Sequence, residues 1–121
     1  MTTPKKIFVA DDDHDILSII QIMLQTENYS VITSNNANDI FAYEKADLPD
    51  LIMLDIWMSG LDGREICHQL KRHELTKNIP VLFISANSNI QEIAKAYSAD
   101  GFIAKPFEMS YLLNKVHDSL Q

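Results

Sequence analysis

The 121 residues are enough for one domain with a core of its own, and the 46% hydrophobic and 22% charged composition excludes a disordered chain. A net charge of −7 argues against a bare nucleic-acid-binding surface, and the single cysteine, Cys67, excludes an internal disulfide and suits a reducing compartment. The apolar runs are strand-sized, so no membrane span is expected, and the N-terminus lacks the apolar stretch of a signal peptide; the expected location is cytoplasmic.

Residues 6–10 form an apolar run that predicts a buried strand ending at the acidic cluster Asp11, Asp12 and Asp13. Residues 14–26 place Ile16, Ile20, Met23 and Leu24 at helical spacing, and residues 29–33 predict a short second strand. Asn35 and Asn36 are N-cap residue types with Asp39 close behind, and Ile40 and Phe41 mark the expected buried side of a second helix reaching about residue 46. After Pro49, residues 50–54 predict a third strand that stops at Asp55. A loop with Gly60 and Gly63 leads into a third helix to about residue 73, with Ile66, Cys67 and Leu70 inward. Pro80 opens a fourth strand over 81–84, ending at Ser85. Ser88 and Gln91 match a capping box for a fourth helix, whose inner positions are Ile90, Ile93, Ala94 and Tyr97 and which Gly101 is expected to end. Residues 102–104 predict a fifth strand, followed by Lys105-Pro106 and a last helix over about 107–119.

Continuous apolar strands alternating with amphipathic helices predict an α/β fold, with five helices covering both faces of a five-stranded parallel sheet. The count suits the doubly wound order 2-1-3-4-5. Periodicity does not by itself fix that order.

In such a sheet the C-terminal strand ends share one edge, where ligands bind. Asp11 and Asp12 follow strand one, Asp55 strand three, Ser85 strand four and Lys105 strand five. Carboxylates gathered in one pocket repel one another unless a cation is present. Mg²⁺ suits them, since it takes one or two carboxylates and keeps waters that a phosphoryl oxygen can replace. Asp13 and Asp15 read instead as capping residues of the first helix. Asp55 ends an otherwise apolar strand, where an acid is costly unless paired. Between a metal and a lysine it becomes an oriented nucleophile, and aspartate is a known covalent phosphoryl acceptor. Lys105 precedes proline, so its peptide bond can be cis and turn the ammonium back over the strand ends. Ser85 offers a hydroxyl donor to a phosphoryl oxygen.

These residues resemble the receiver domain of two-component response regulators, and the single-domain chemotaxis type among them. The resemblance rests on residues 7–13, 49–55, 61–63, 79–86 and 101–107, and it extends over nearly the whole chain. It implies a flavodoxin-like fold with the order 2-1-3-4-5 and one receiver domain over 1–121, with no effector domain in the sequence. It implies Asp55 as phosphoacceptor and Asp11 and Asp12 as the acidic pair around Mg²⁺, with Asp12 favoured as the direct ligand. The backbone carbonyl of Trp57 would complete the ligands. Ser85 and Phe102 take the switch positions and Lys105 the lysine position. The phosphoryl donor would be a histidine kinase or phosphotransfer protein. The face of the fourth helix, fifth strand and fifth helix would then change towards an unidentified protein target, as a monomer or a phosphorylation-induced dimer. The domain would process no external substrate. No direct contact with nucleic acid or membrane is implied.

Three departures stand out. Ser59 occupies the place of a usual proline, which predicts a looser loop and a shifted start of the third helix. Trp57 is bulky, and its indole is expected to shield an acyl phosphate from water. Phe102 lacks the hydroxyl of a tyrosine. Three other readings compete. A hydrolase of the dehalogenase type would use Asp11 as nucleophile, but 121 residues leave little room for its cap. A flavin binder would need a hydroxyl-rich phosphate loop where the aspartates stand. A degenerate receiver would bind partners without phosphorylation. His14, His68, His73 and His117 lack ligand-like spacing and read as surface residues. Cys67 reads as a small core residue.

Overall fold

The structure is a computed structural model and describes residues 3–58 and 60–121. Ser59, and with it the expected effect of the missing proline, lies outside the described residues. The chain runs β1 (Lys6–Ala10), α1 (His14–Gln25), β2 (Ser30–Ser34), two 3₁₀ helices (Ala37–Ala42 and Lys45–Asp47), β3 (Leu51–Asp55), β4 (Trp57–Met58), β5 (Leu61–Asp62), α2 (Gly63–Arg72), β6 (Val81–Ser85), α3 (Ile90–Ala96), β7 (Gly101–Ala104) and α4 (Met109–Ser119). Five strands form one parallel sheet in the order β2-β1-β3-β6-β7, while β4 and β5 make a separate antiparallel hairpin. Counting the main-sheet strands alone, this is the expected order 2-1-3-4-5, with helical structure in each of the four connections and after the last strand. Among the described residues no helix is long and apolar enough to cross a membrane.

The apolar strands are buried on both faces, and their residues divide by alternation. Ile7, Val9, Leu51, Met53, Leu82, Ile84 and Ile103 pack against Leu17, Ile20 and Leu24 of α1 and Leu112 and Val116 of α4. Phe8, Ala10, Ile52, Leu54, Val81 and Phe83 face Ala37 and Ile40, the Ile66, Cys67 and Leu70 stripe of α2, and Ile90 and Ala94 of α3. A parallel strand of continuous apolar character needs both layers to stay out of water.

The second helical segment is not an α-helix, contrary to the periodicity reading. The Asn36 side chain takes a backbone N–H, accepting from Asn38 N at 3.0 Å, and the Asp39 carboxylate is held by the Ser34 hydroxyl, which donates to it at 2.6 Å. The tighter winding puts Ala37 and Ile40 on one buried face, while Phe41 turns outward to 39% exposure. The capping box at Ser88 does not form either. A turn from Asn87 to Ile90 precedes the helix, so α3 starts at Ile90, and its N-cap Asn89 makes no side-chain bond. The helix ends at Ala96 with Tyr97 as C-cap; Ser98 just beyond adopts φ 62°, and Ala99 N reaches back to Ala94 O at 2.9 Å. Gly101 does not end the helix. It opens β7, where an added Cβ would sit 3.0 Å from Leu82 Cδ2.

Candidate functional site

The order β2-β1-β3 places the reversal of winding between β1 and β3, and the acids lie at that crevice. Asp11 follows β1 directly and Asp55 is the last residue of β3. Carboxylate oxygens of Asp11, Asp12 and Asp55 come within 4.8 Å of one another. Lys105 follows β7 directly and precedes a cis Lys105–Pro106 peptide bond. Its Nζ donates to Asp11 Oδ2 at 3.1 Å and lies 4.0 Å from Asp55 Oδ1. The lysine thus sits closer to Asp11 than to Asp55, the partner expected from the sequence. Asp11 is the more deeply buried of the two, with a side chain 1% exposed against 12% for Asp55. A buried carboxylate needs full hydrogen bonding, and Asp11 also accepts from Asp13 N at 3.0 Å.

Asp55 is left with an excess of negative charge around it. Its carboxyl is pushed up to about 7, first by burial and then by the charge of Asp11; Lys105 pulls the other way, and a hydrogen bond with Asp11 and the charge of Asp12 add to the rise. Three carboxylates against one ammonium are one-sided, and all the donors are hard oxygens. This set fits a small divalent cation such as Mg²⁺. A cleft of about 380 Å³ lined by Asp12, Asn35, Asn36 and Leu61 adjoins the acids.

Asp13 caps α1, accepting from Asp15 N at 2.9 Å and Ile16 N at 3.3 Å. Ser85 ends β6, buried, with Oγ accepting from Asn87 N at 3.0 Å, and its backbone oxygen takes Lys105 N at 2.9 Å. Phe102 is half-buried on β7 beside Phe83 of β6, and the Lys115 ammonium lies 5.6 Å from its ring. Trp57 stands in β4, its indole 54% exposed and stacked on the Arg64 guanidinium at 4.3 Å. The four histidines are exposed, and Cys67 is buried, with its thiol pushed up to about 11 by burial.

In the sequence Gly63 is only a loop and motif residue and Arg64 is not singled out, so the roles of both come from the structure. Gly63 starts α2 with its N–H on Ile56 O at 2.7 Å, and any Cβ there would run into the backbone oxygen of Asp55. A glycine between a strand end and a helix hints at such an approach. Arg64 had no signal, because the aromatic rings it joins, Trp57 and Tyr97, meet it only in the folded chain.

The family model for the response regulator receiver domain matches residues 7–117, and this span includes every residue of the acidic crevice. The chain belongs to this family. The receiver domain is 35% identical over 121 residues to the nisin biosynthesis regulatory protein NisR of Lactococcus lactis subsp. lactis, covering 96% of this chain and 50% of that protein. It spans about half the length of the curated relatives it matches. A response regulator structure from Chloroflexus aurantiacus J-10-fl superposes with a TM-score of 0.90 at 27% identity, covering 98% of each chain. The response regulator TrrA of Thermotoga maritima, solved in complex with Mg²⁺-BeF, superposes with a TM-score of 0.84 at 28% identity, covering 96% of this chain and 99% of that one. The receiver domain is therefore a regulatory module of two-component signal transduction.

Proposed function

We propose that Asp55 accepts a phosphoryl group from the phosphohistidine of a histidine kinase or phosphotransfer protein, in a Mg²⁺-dependent reaction. The observation that carries this reading is the convergence of Asp11, Asp12, Asp55 and Lys105 at the strand ends beside the winding switch. Asp11, Asp12, Asp55 and the Trp57 carbonyl would hold the cation. When bound, the cation neutralises the acidic cluster and the charge of the incoming phosphoryl oxygens.

The ionised Asp55 oxygen attacks phosphorus. The P–O bond forms as the P–N bond of the donor breaks, and the electron pair leaves with the imidazole nitrogen. Lys105 neutralises charge on a phosphoryl oxygen as a point charge, from its place within 4.0 Å of Asp55. The Ser85 hydroxyl turns from Asn87 N to donate to another. Phe102, on the neighbouring strand, follows into the space so vacated, and the α3–β7–α4 face changes. The readout is a protein target on that face, as a monomer or a phosphorylation-induced dimer, within the cytoplasm. The residues present act as one receiver unit, and the acyl phosphate is its own signal, with no external substrate turned over.

The test is intact mass after incubation with acetyl phosphate, with and without Mg²⁺, beside an Asp55→Asn variant. The expected result is a Mg²⁺-dependent gain of one phosphoryl group that the variant lacks. A folded parent that gains nothing from acetyl phosphate or from a histidine kinase overturns the reading in favour of a phosphorylation-independent binding module.

A further inference from the structure

Trp57 and Asp62 face each other across the β4–β5 hairpin, which has two residue pairs and stands apart from the main sheet. An isolated two-stranded ribbon is marginal on its own. Arg64 closes it from the side. Its Nε reaches Asp62 Oδ1 at 2.9 Å and Oδ2 at 3.2 Å, its Nη2 reaches Oδ2 at 2.8 Å, and its backbone N–H donates to Oδ1 at 2.9 Å. The same guanidinium lies 4.3 Å from the centroid of the Trp57 ring. It also lies 5.4 Å from the ring of Tyr97, the C-cap of α3. One planar cation therefore grips both strands of the ribbon and braces them against a helix.

We infer that Arg64 is a positioning residue for the cation site: it staples the hairpin so that the Trp57 backbone is presented to the acidic cluster. The inference rests on the proposed function, in which the Trp57 carbonyl joins Asp11, Asp12 and Asp55 around Mg²⁺. Charge alone predicts the opposite effect. A guanidinium in the first turn of α2, against the Trp57 ring, opposes a divalent cation at the neighbouring strand end, so its removal should tighten binding. Positioning predicts that its removal weakens binding. Lysine separates the two, because it keeps the charge but has no planar fork to hold a carboxylate and stack on an indole together.

The experiment measures Mg²⁺ affinity of the full chain by titration calorimetry, for the parent, Arg64→Lys and Arg64→Ala. Circular dichroism checks the fold, and emission from Trp57, the single tryptophan, reports the stack. In both variants affinity is expected to fall by about 10-fold, the low end of what outer partners of metal ligands cost. Trp57 emission is expected to shift towards that of a solvated indole. The lysine variant decides. A folded Arg64→Lys chain with parental or tighter affinity overturns the inference, whatever Arg64→Ala does. A parent that binds no Mg²⁺ locates the failure in the functional reading itself, and the inference falls with it.

Discussion

Asp55 is the residue whose function and stability pull in opposite directions. Its carboxyl ionises near 3.8 in the unfolded chain and near 7 in the folded one, because burial and Asp11 disfavour the charge. The folded chain therefore binds this proton more tightly than the unfolded chain does. Stability from this group is full at low pH and is lost as pH rises from 3.8 to about 7. Asp55→Asn is thus expected to stabilise the cation-free chain at pH 8 by roughly 1–3 kcal/mol, measured by urea unfolding, with the gain shrinking towards pH 4. Saturating Mg²⁺ should stabilise the parent at pH 8 more than the variant, since the cation binds only the folded site. A second expectation concerns Trp57. If its indole shields the acyl phosphate, Trp57→Ala loses the phosphoryl group faster than the parent, read as decay of the phosphorylated mass. An unchanged decay removes that role from the indole.

Secondary-structure elements deliver these side chains through their ends. The N-cap of α1 is Asp13, directly after the two acids that face the crevice. Asp13→Ala is expected to cost about 1 kcal/mol in urea unfolding, the usual loss for an N-cap, while Mg²⁺ binding persists. The start of α2 presses on β3 at Gly63, where a methyl group would meet the Asp55 backbone oxygen. Gly63→Ala is expected to destabilise the chain by roughly 1–3 kcal/mol, the range for overpacking. It should also slow phosphorylation by acetyl phosphate, because the strain falls on the acceptor itself. Normal stability together with a normal rate would show that the helix can move aside.

For the whole molecule, two faces of one sheet divide the labour. The α1 and α4 layer packs behind β1, β3 and β6, while Ser85 and Phe102 sit on adjacent strands at the α3 side. Phosphorylation of the parent should change amide exchange over α3, β7 and α4 and leave β1 and β2 as they were. Ser85→Ala should still gain the phosphoryl group but lose that change; a full exchange response in the variant would take the switch away from Ser85. Much of this was legible beforehand, because a strand buried on both faces must be apolar throughout. Such a strand advertises any acid, hydroxyl or lysine at its end, as at Asp55, Ser85 and Lys105. What was not legible depended on competing local bonds or on distant partners. Where an α-helix was expected, 3₁₀ turns follow the local bonds of Asn36 and Asp39, and a turn at Asn87 displaced the start of α3 from its capping box. The amino-acid sequence by itself determined the layers, the core stripes and the chemical types at the strand ends, since these follow from burial and periodicity along one chain. The tertiary structure alone decided that Lys105 bonds Asp11 before Asp55, that Gly63 leaves room for the acceptor strand, and that Arg64 joins Trp57 to Asp62 and Tyr97. The Lys105–Asp11 and Arg64–Tyr97 distances join residues far apart in the chain, and the others depend on how the loop after β3 folds back, so no periodic pattern encodes them.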